Sequence, residues 1–182
     1  MGFYLLREIV EKISGETFEG YLQRNFYRQI GVSTMGYNPK RKFSLDKIVP
    51  SEVDTAFRKQ TLHGFVNDQG AAMLGGVSGH AGLFANANDV AKIMEMLMQY
   101  GEYGGVRFLS DSTVKKFTKY QFAENGNRRG LGFDKPLLKW HKGSHTCKSV
   151  STNSFGHSGF TGTFTWADPE KGLVYVFLSN RT

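Results

Sequence analysis

The run Leu173-Val174-Tyr175-Val176-Phe177-Leu178 is apolar at every position. β-Branched and aromatic residues dominate it, so it reads as a strand. A strand that does not alternate between apolar and polar side chains needs cover on both faces. The residues before it, Asp168-Pro169-Glu170-Lys171-Gly172, have turn chemistry. The last two strands therefore form a hairpin. The architecture that satisfies both features is an antiparallel sheet with helices on its faces, an α+β fold.

Helices are available to supply that cover. Phe3, Leu5, Leu6, Ile9, Val10 and Ile13 recur at helical spacing over 2–14, and Gly15 is a natural stop. Thr17 can cap a second helix over about 18–29, closed by Gly31. Asn86 and Asp89 have the spacing of a capping box for a helix through Tyr100. Its buried stripe is Val90, Ile93, Met94, Leu97 and Met98. The methionines there read as core filler. Ser110 can cap a short helix through about Tyr120. Residues 32–70 show no sustained period and are expected to form a structured loop region that shapes a site. Residues 121–154 are polar and irregular, with one strand expected near Leu131-Gly132-Phe133. Trp140 and Trp166 read as core or cleft-wall aromatics.

Several function classes are excluded or weakened. A chain of 182 residues with 40% apolar content builds a core and suits one domain. No apolar run approaches membrane-spanning length, and the opening residues lack the basic region of a secretory signal. The net charge of +7 is spread thinly, with short clusters at Lys40-Arg41-Lys42, Lys115-Lys116 and Arg128-Arg129. No recognition motif accompanies it, so no nucleic-acid partner is expected. The single Cys147 forms no intrachain disulfide. His141, His145 and Cys147 offer three zinc-type ligands at close spacing, but a fourth is not evident. The expectation is no metal and no cofactor.

Phe155-Gly156-His157-Ser158-Gly159-Phe160-Thr161-Gly162-Thr163-Phe164 reads as strand, tight turn, strand, with a polar triplet at the front. His157 could donate a hydrogen bond to a substrate carboxylate or assist proton transfer. It could equally be a strand-end histidine bonded to a loop carbonyl. Ser158 is small enough to point into a cleft, and Gly159 permits close approach of a ligand or backbone. His80, between Gly79 and Ala81, has two readings: site-lining or loop-fixing.

The triplet His157-Ser158-Gly159 resembles the third active-site motif of serine β-lactamases, penicillin-binding proteins and their esterase relatives. Other stretches extend the likeness to the class C-like esterase and β-lactamase subgroup. Gly2 to Gly15 resembles the helix following the family's Tyr-Ser-Asn motif, and Phe18 to Gly31 its next helix. Pro50-Ser51-Glu52-Val53-Asp54 with Phe57-Arg58 resembles a Pro-Thr-Glu-x-Asp stretch. Leu74-Gly75-Gly76-Val77-Ser78-Gly79-His80-Ala81-Gly82-Leu83-Phe84 is similar to the glycine-rich loop. Relatives often carry Val-His-Asp where this chain has Val66-Asn67-Asp68. An asparagine there handles no protons.

The resemblance implies a β-lactamase/transpeptidase-like domain, with 1–182 as a single partial domain. It implies His157 as a catalytic residue and His157, Ser158, Gly159 and His80 as substrate-binding residues. The substrate would be a small molecule or a cell-wall peptide, and the compartment periplasmic or exported. The family reaction needs a Ser-x-x-Lys pair on one helix face, so that the amine can take the serine proton. Ser44-Leu45-Asp46-Lys47 and Ser112-Thr113-Val114-Lys115 fit that spacing. Ser44 falls in a loop, and Ser112 lies downstream of where the motif belongs. Ser151-Thr152-Asn153 mimics Ser-x-Asn in the wrong order. The expectation is a C-terminal portion of the fold, incomplete at its N-terminus and its C-terminus. Its nucleophile motifs would lie upstream, and these residues alone would be inactive. Uncovered core or sheet edge would favour a homo-oligomer. The rival expectation is a non-catalytic module that binds a cell-wall peptide or glycan, or a structural appendage.

Overall fold

A computed structural model describes residues 2–180. The chain divides into two compact units. One comprises residues 2–89, 160–162 and 178–180; the other comprises 90–159 and 163–177.

The first unit opens with α1 (Gly2–Ser14), ended by Gly15 in the left-handed region at φ +70°. Thr17 caps α2 (Phe18–Leu22) by accepting the Gly20 amide. The expected second helix then widens into a π-helical turn, Gln23–Tyr27, before finishing as α3 (Arg28–Ile30). Gly31, at φ +73°, closes it. The irregular 32–70 region contains two 3₁₀ turns and a small hairpin, β1 (Glu52–Asp54) and β2 (Gln60–Leu62), with Val53 opposite Thr61. A short helix α4 (Gln69–Met73) follows, capped by Asp68. Tyr27, Ile30, Val32, Met35, Tyr37, Leu62, Val66 and Ala71 are the buried apolar residues here.

Helix α5 (Ala87–Met98) starts in the first unit and continues, from Val90, in the second. Asn86 Oδ1 accepts the Asp89 amide at 2.8 Å, as a cap should. The amide of Asn86 goes to Thr34 Oγ1, while the Asp89 carboxylate accepts from Ser33 and Thr34. The cap residues thus tie the helix start to the loop after α3.

In the second unit, a two-residue hairpin, β3 (Glu102–Tyr103) and β4 (Val106–Arg107), precedes α6 (Asp111–Thr118). Ser110 Oγ caps α6 by accepting the Thr113 amide at 3.1 Å. The main sheet is antiparallel: β5 (Phe155–Ser158), β6 (Phe164–Asp168) and β7 (Leu173–Phe177), in that spatial order. Phe155 and Ala167 pack on Met94, with Val90, Leu97, Met98, Phe133 and Val174 around them. This is the α5-facing side of the sheet, and the methionine core is where the helical period placed it. On the other side Leu173, Tyr175 and Phe177 stay exposed. The fully apolar strand is therefore covered on one face, not two. Residues 131–133 form a turn, not the expected strand. Pairing falls on their neighbours instead, with Arg129 bridged to Asp134 and Asp134 to Gly156. Trp166 is buried; Trp140 is half exposed and donates to Thr146 O at 3.0 Å.

Candidate functional site

The strand carrying the polar triplet is fixed from both sides. Asp134 and Gly156 exchange both backbone hydrogen bonds, at 2.8 and 3.1 Å, on the edge of β5 away from β6. In an antiparallel ladder, backbone groups alternate in direction along the strand. His157 therefore bonds towards its partner Thr165 on β6, and the Ser158 amide points outward, along the same edge as Gly156. His157, Ser158 and Gly159 are all exposed. The Gly159 amide donates to Thr163 O at 2.8 Å, and a Cβ at Gly159 would collide with Thr163 Oγ1. Gly159 thus stands at the start of the tight turn that leads into β6.

The imidazole of His157 is held at both nitrogens. Nδ1 lies 2.6 Å from Ser158 O, and Nε2 lies 3.1 Å from Arg129 Nη2. A guanidinium only donates. Nε2 is therefore the acceptor, and Nδ1–H donates to Ser158 O. Arg129 is anchored in turn by its ion pair with the buried Asp134, whose other oxygen takes Arg128 Nη2 at 3.2 Å. In the sequence Arg128-Arg129 is only a short basic cluster, and nothing adjacent marks Arg129 as a neighbour of His157. The signal that could have found it is the turn glycine Gly132, at φ +80°, which folds 129 back against 134.

His80 belongs to the first unit. Its Nδ1 lies 3.0 Å from the buried Ser78 Oγ, and its Nε2 3.0 Å from Asp68 Oδ1 and 3.3 Å from Tyr4 Oη. Its ring packs against Tyr4 with centroids 4.5 Å apart. Asp68 also accepts the Ala71 amide at 2.7 Å as the α4 cap. Burial pushes the Asp68 carboxyl upward, but the Ala71 amide and His80 outweigh it and hold it below the ordinary range. The segment leading into Asp68 is pinned by Arg58, which donates to the carbonyls of Val66 and Asn67 at 2.6 Å each. Arg58 is itself oriented by Asp54 at 2.9 Å. The Phe57 amide and the Arg58 side chain lower Asp54 to about 2. The Pro-Ser-Glu-Val-Asp and Phe-Arg stretch thus serves to place Asn67 and Asp68.

The Ser-x-x-Lys look-alikes do not form nucleophile–base pairs. Ser44 is exposed and precedes a 3₁₀ turn. Ser112 shares a hydrogen bond with Ser110, while Lys115 Nζ is held by Asp111 at 2.8 Å. That carboxylate raises the Lys115 pKa, the opposite of what a base needs. His141, His145 and Cys147 do not converge, and no metal-competent cluster exists among the described residues. His145 packs edge-on to Trp166, where burial and then Arg128 push its pKa down. No helix among the described residues is long and apolar enough to cross a membrane.

The family profile described as Beta-lactamase matches residues 1–182. The chain belongs to the beta-lactamase family. A "Putative D-alanyl-D-alanine carboxypeptidase" of Escherichia coli (strain K12) is 32% identical over 98% of this chain and 43% of its own length. An N-acetylmuramyl-L-alanine amidase of Bacillus subtilis (strain 168) is 31% identical over 100% of this chain and 43% of its own. The chain thus spans less than half the length of these curated relatives. Among solved structures, a β-lactamase from Mycobacterium bovis is similar at TM-score 0.66 and 24% identity, covering 99% of this chain and 54% of that one. A penicillin-binding protein homologue from Caulobacter crescentus matches at TM-score 0.66 and 20% identity, covering 98% and 50%. These likenesses establish the fold: mixed helices and antiparallel sheet of the β-lactamase and penicillin-binding protein type.

Proposed function

We propose that this chain supplies the substrate-side strand of an acyl-transferring serine hydrolase, as a single partial β-lactamase-like domain. The supporting observation is the exposed His157-Ser158-Gly159 edge of β5, held by Asp134 and addressed by Arg129. In the whole reaction a serine outside these residues attacks an amide or ester carbonyl, and water then releases the acyl group. A backbone amide on this strand contributes to the oxyanion hole. His157 is the residue assigned to the reacting site, with Ser158 and Gly159 lining it. His80 is assigned as a substrate-binding residue. The relatives' names favour a cell-wall peptide over other acyl donors. Cofactor and metal play no part in this reading.

The test has two arms. The 182-residue chain alone is expected to give no enzymatic hydrolysis of a chromogenic β-lactam, a D-alanyl-D-alanine peptide or a short-chain ester. An acyl adduct on Ser44 or Ser112 by mass spectrometry overturns that. A protein extended to the relatives' length is expected to hydrolyse at least one of the three. In it, His157→Ala should lower kcat/KM roughly tenfold or more, the effect of losing a hydrogen bond to a charged group of about 1.5–3 kcal/mol. His80→Ala should lower kcat/KM at unchanged Tm; a fallen Tm with normal kinetics assigns His80 to loop-fixing. An inert extended protein that still binds cell-wall peptide would instead favour the non-catalytic module.

A further inference from the structure

We infer that the cavity between α2 and the loop after α3 binds a small zwitterion: a free α-amino acid whose side chain is no larger than a methyl group. The site lies wholly within residues 19–43 of the first unit. It goes beyond the hydrolase reading and takes nothing from it. The cavity holds about 90 Å³, the volume of about three waters at liquid density. Pockets for ordinary ligands start at about 300 Å³, so only a molecule of a few heavy atoms fits here. Its wall carries both signs of charge. Glu19 comes from α2, and Arg41 and Lys42 come from the end of the 3₁₀ turn Pro39–Arg41. Among the described residues, Glu19 and Arg41 form no ion pair with each other or with another side chain.

The acidic end is held in place before any ligand arrives. Glu19 Oε1 accepts the Tyr37 amide at 2.9 Å, and a Cβ at Gly36 would lie 2.9 Å from that same oxygen. Gln23, one turn further on and the first residue of the π turn, donates to Met35 O at 3.1 Å. Helix and loop are thus tied beside the carboxylate. An ionised carboxylate can accept about four hydrogen bonds. Among the described residues, only the Tyr37 amide donates to this one. At the basic end Lys42 is already engaged, its Nζ 2.5 Å from Ser33 O and 5.2 Å above the Phe43 ring. Arg41 is exposed, and its guanidinium has no hydrogen-bond partner among the described residues. A carboxylate meets there a planar donor that offers two parallel hydrogen bonds. An ammonium meets Glu19. A molecule with both charges on one carbon satisfies both ends at once; an anion or a cation alone leaves the other end unmatched.

The experiment titrates the ¹⁵N-labelled 182-residue chain with glycine and reads the Gly36 and Tyr37 amides and the Arg41 side-chain signal. Acetate supplies the carboxylate alone, methylamine the ammonium alone, and leucine both charges with too large a side chain. Glycine is expected to shift all three signals saturably, at least tenfold more tightly than acetate, methylamine or leucine. Glu19→Gln keeps an acceptor for the Tyr37 amide and removes the charge. It should weaken glycine binding at least tenfold, and so should Arg41→Gln. If Glu19→Gln is unfolded by circular dichroism, the exposed Arg41 position decides. Equal binding of acetate or methylamine, binding of leucine as tight as that of glycine, binding that survives Arg41→Gln, or no saturable shift overturns the inference. The readout is binding by the first unit and is separate from catalysis. An extended protein inert towards every acyl substrate would remove the hydrolase reading and leave this one standing.

Discussion

One of the most deeply buried side chains in the second unit is a lysine outside the proposed site. Lys135 is 2% exposed, donates to Ser154 O at 2.7 Å and lies 5.1 Å above the Tyr120 ring. Burial draws its pKa down to about 8, with Asp168 opposing. The unfolded chain would hold that proton up to about pH 10.4. Between those values the unfolded state binds more protons, so stability rises with pH; below pH 8 the full penalty is present. The gain across the window is on the order of 2–3 kcal/mol. Above about pH 10 buried tyrosines reverse the trend. Burial raises Tyr37 to about 12 and Tyr27 further still, so the unfolded chain loses those protons first. Urea unfolding from pH 7 to 10 should therefore show a rise that Lys135→Met flattens. A variant curve parallel to the wild type would refute this. None of it was legible in the sequence, where Asp134-Lys135-Pro136 lies in a polar stretch. The candidate site was legible at His157, Ser158 and Gly159, because motif and turn chemistry are local. Arg129 was not, because its role depends on a bridge to Asp134 and on Asp134 reaching Gly156.

Among the elements, those with strong local signals were placed correctly. Gly15, Thr17, Gly31 and Ser110 sit at the boundaries their chemistry predicts. The Asp168 turn joins β6 to β7, with the Asp168 carboxylate accepting the Glu170 and Lys171 amides. The π turn at Gln23–Tyr27 had no such signal; a single widened turn leaves the apolar pattern almost unchanged. The expected strand at 131–133 failed for a related reason: Leu131 and Phe133 are apolar, but the glycine between them makes a turn. Glycine matters most at Gly156. A Cβ there would overlap Thr165 O and the Trp166 ring on the neighbouring strand. Gly156→Ala should therefore cost at least about 1–3 kcal/mol, the usual penalty of overpacking. It should also shift the His157 ring signals by displacing β5. Unchanged Tm and unchanged ring signals together would show that the sheet yields without cost.

Across the whole molecule, the sequence identified the fold class and the family, but the cover it demanded for β7 is only half supplied. Leu173, Tyr175 and Phe177 remain about half exposed, and on α1 Leu5 is 63% and Ile13 81% exposed. Exposed apolar side chains in such numbers, on each unit taken by itself, promote association. The chain is expected to be a dimer or larger at micromolar concentration by light scattering, and Phe177→Lys should shift it towards monomer. A monodisperse monomer that binds no hydrophobic dye would contradict this. Hydrophobic pattern states what a strand needs; it does not say which partner meets the need.

The division of the chain also sets a timetable. The sheet of the second unit closes through two hairpins within residues 155–177, so its pairings are short-range and quick to form. The first unit is assembled from distant pieces. Ser179 Oγ donates to Gly162 O at 2.9 Å, and Asn180 Nδ2 reaches Pro50 O across 130 residues of chain. Closing contacts over that much chain carries a larger loop-closure cost than pairing adjacent strands, so the first unit is expected to complete more slowly than the hairpin sheet.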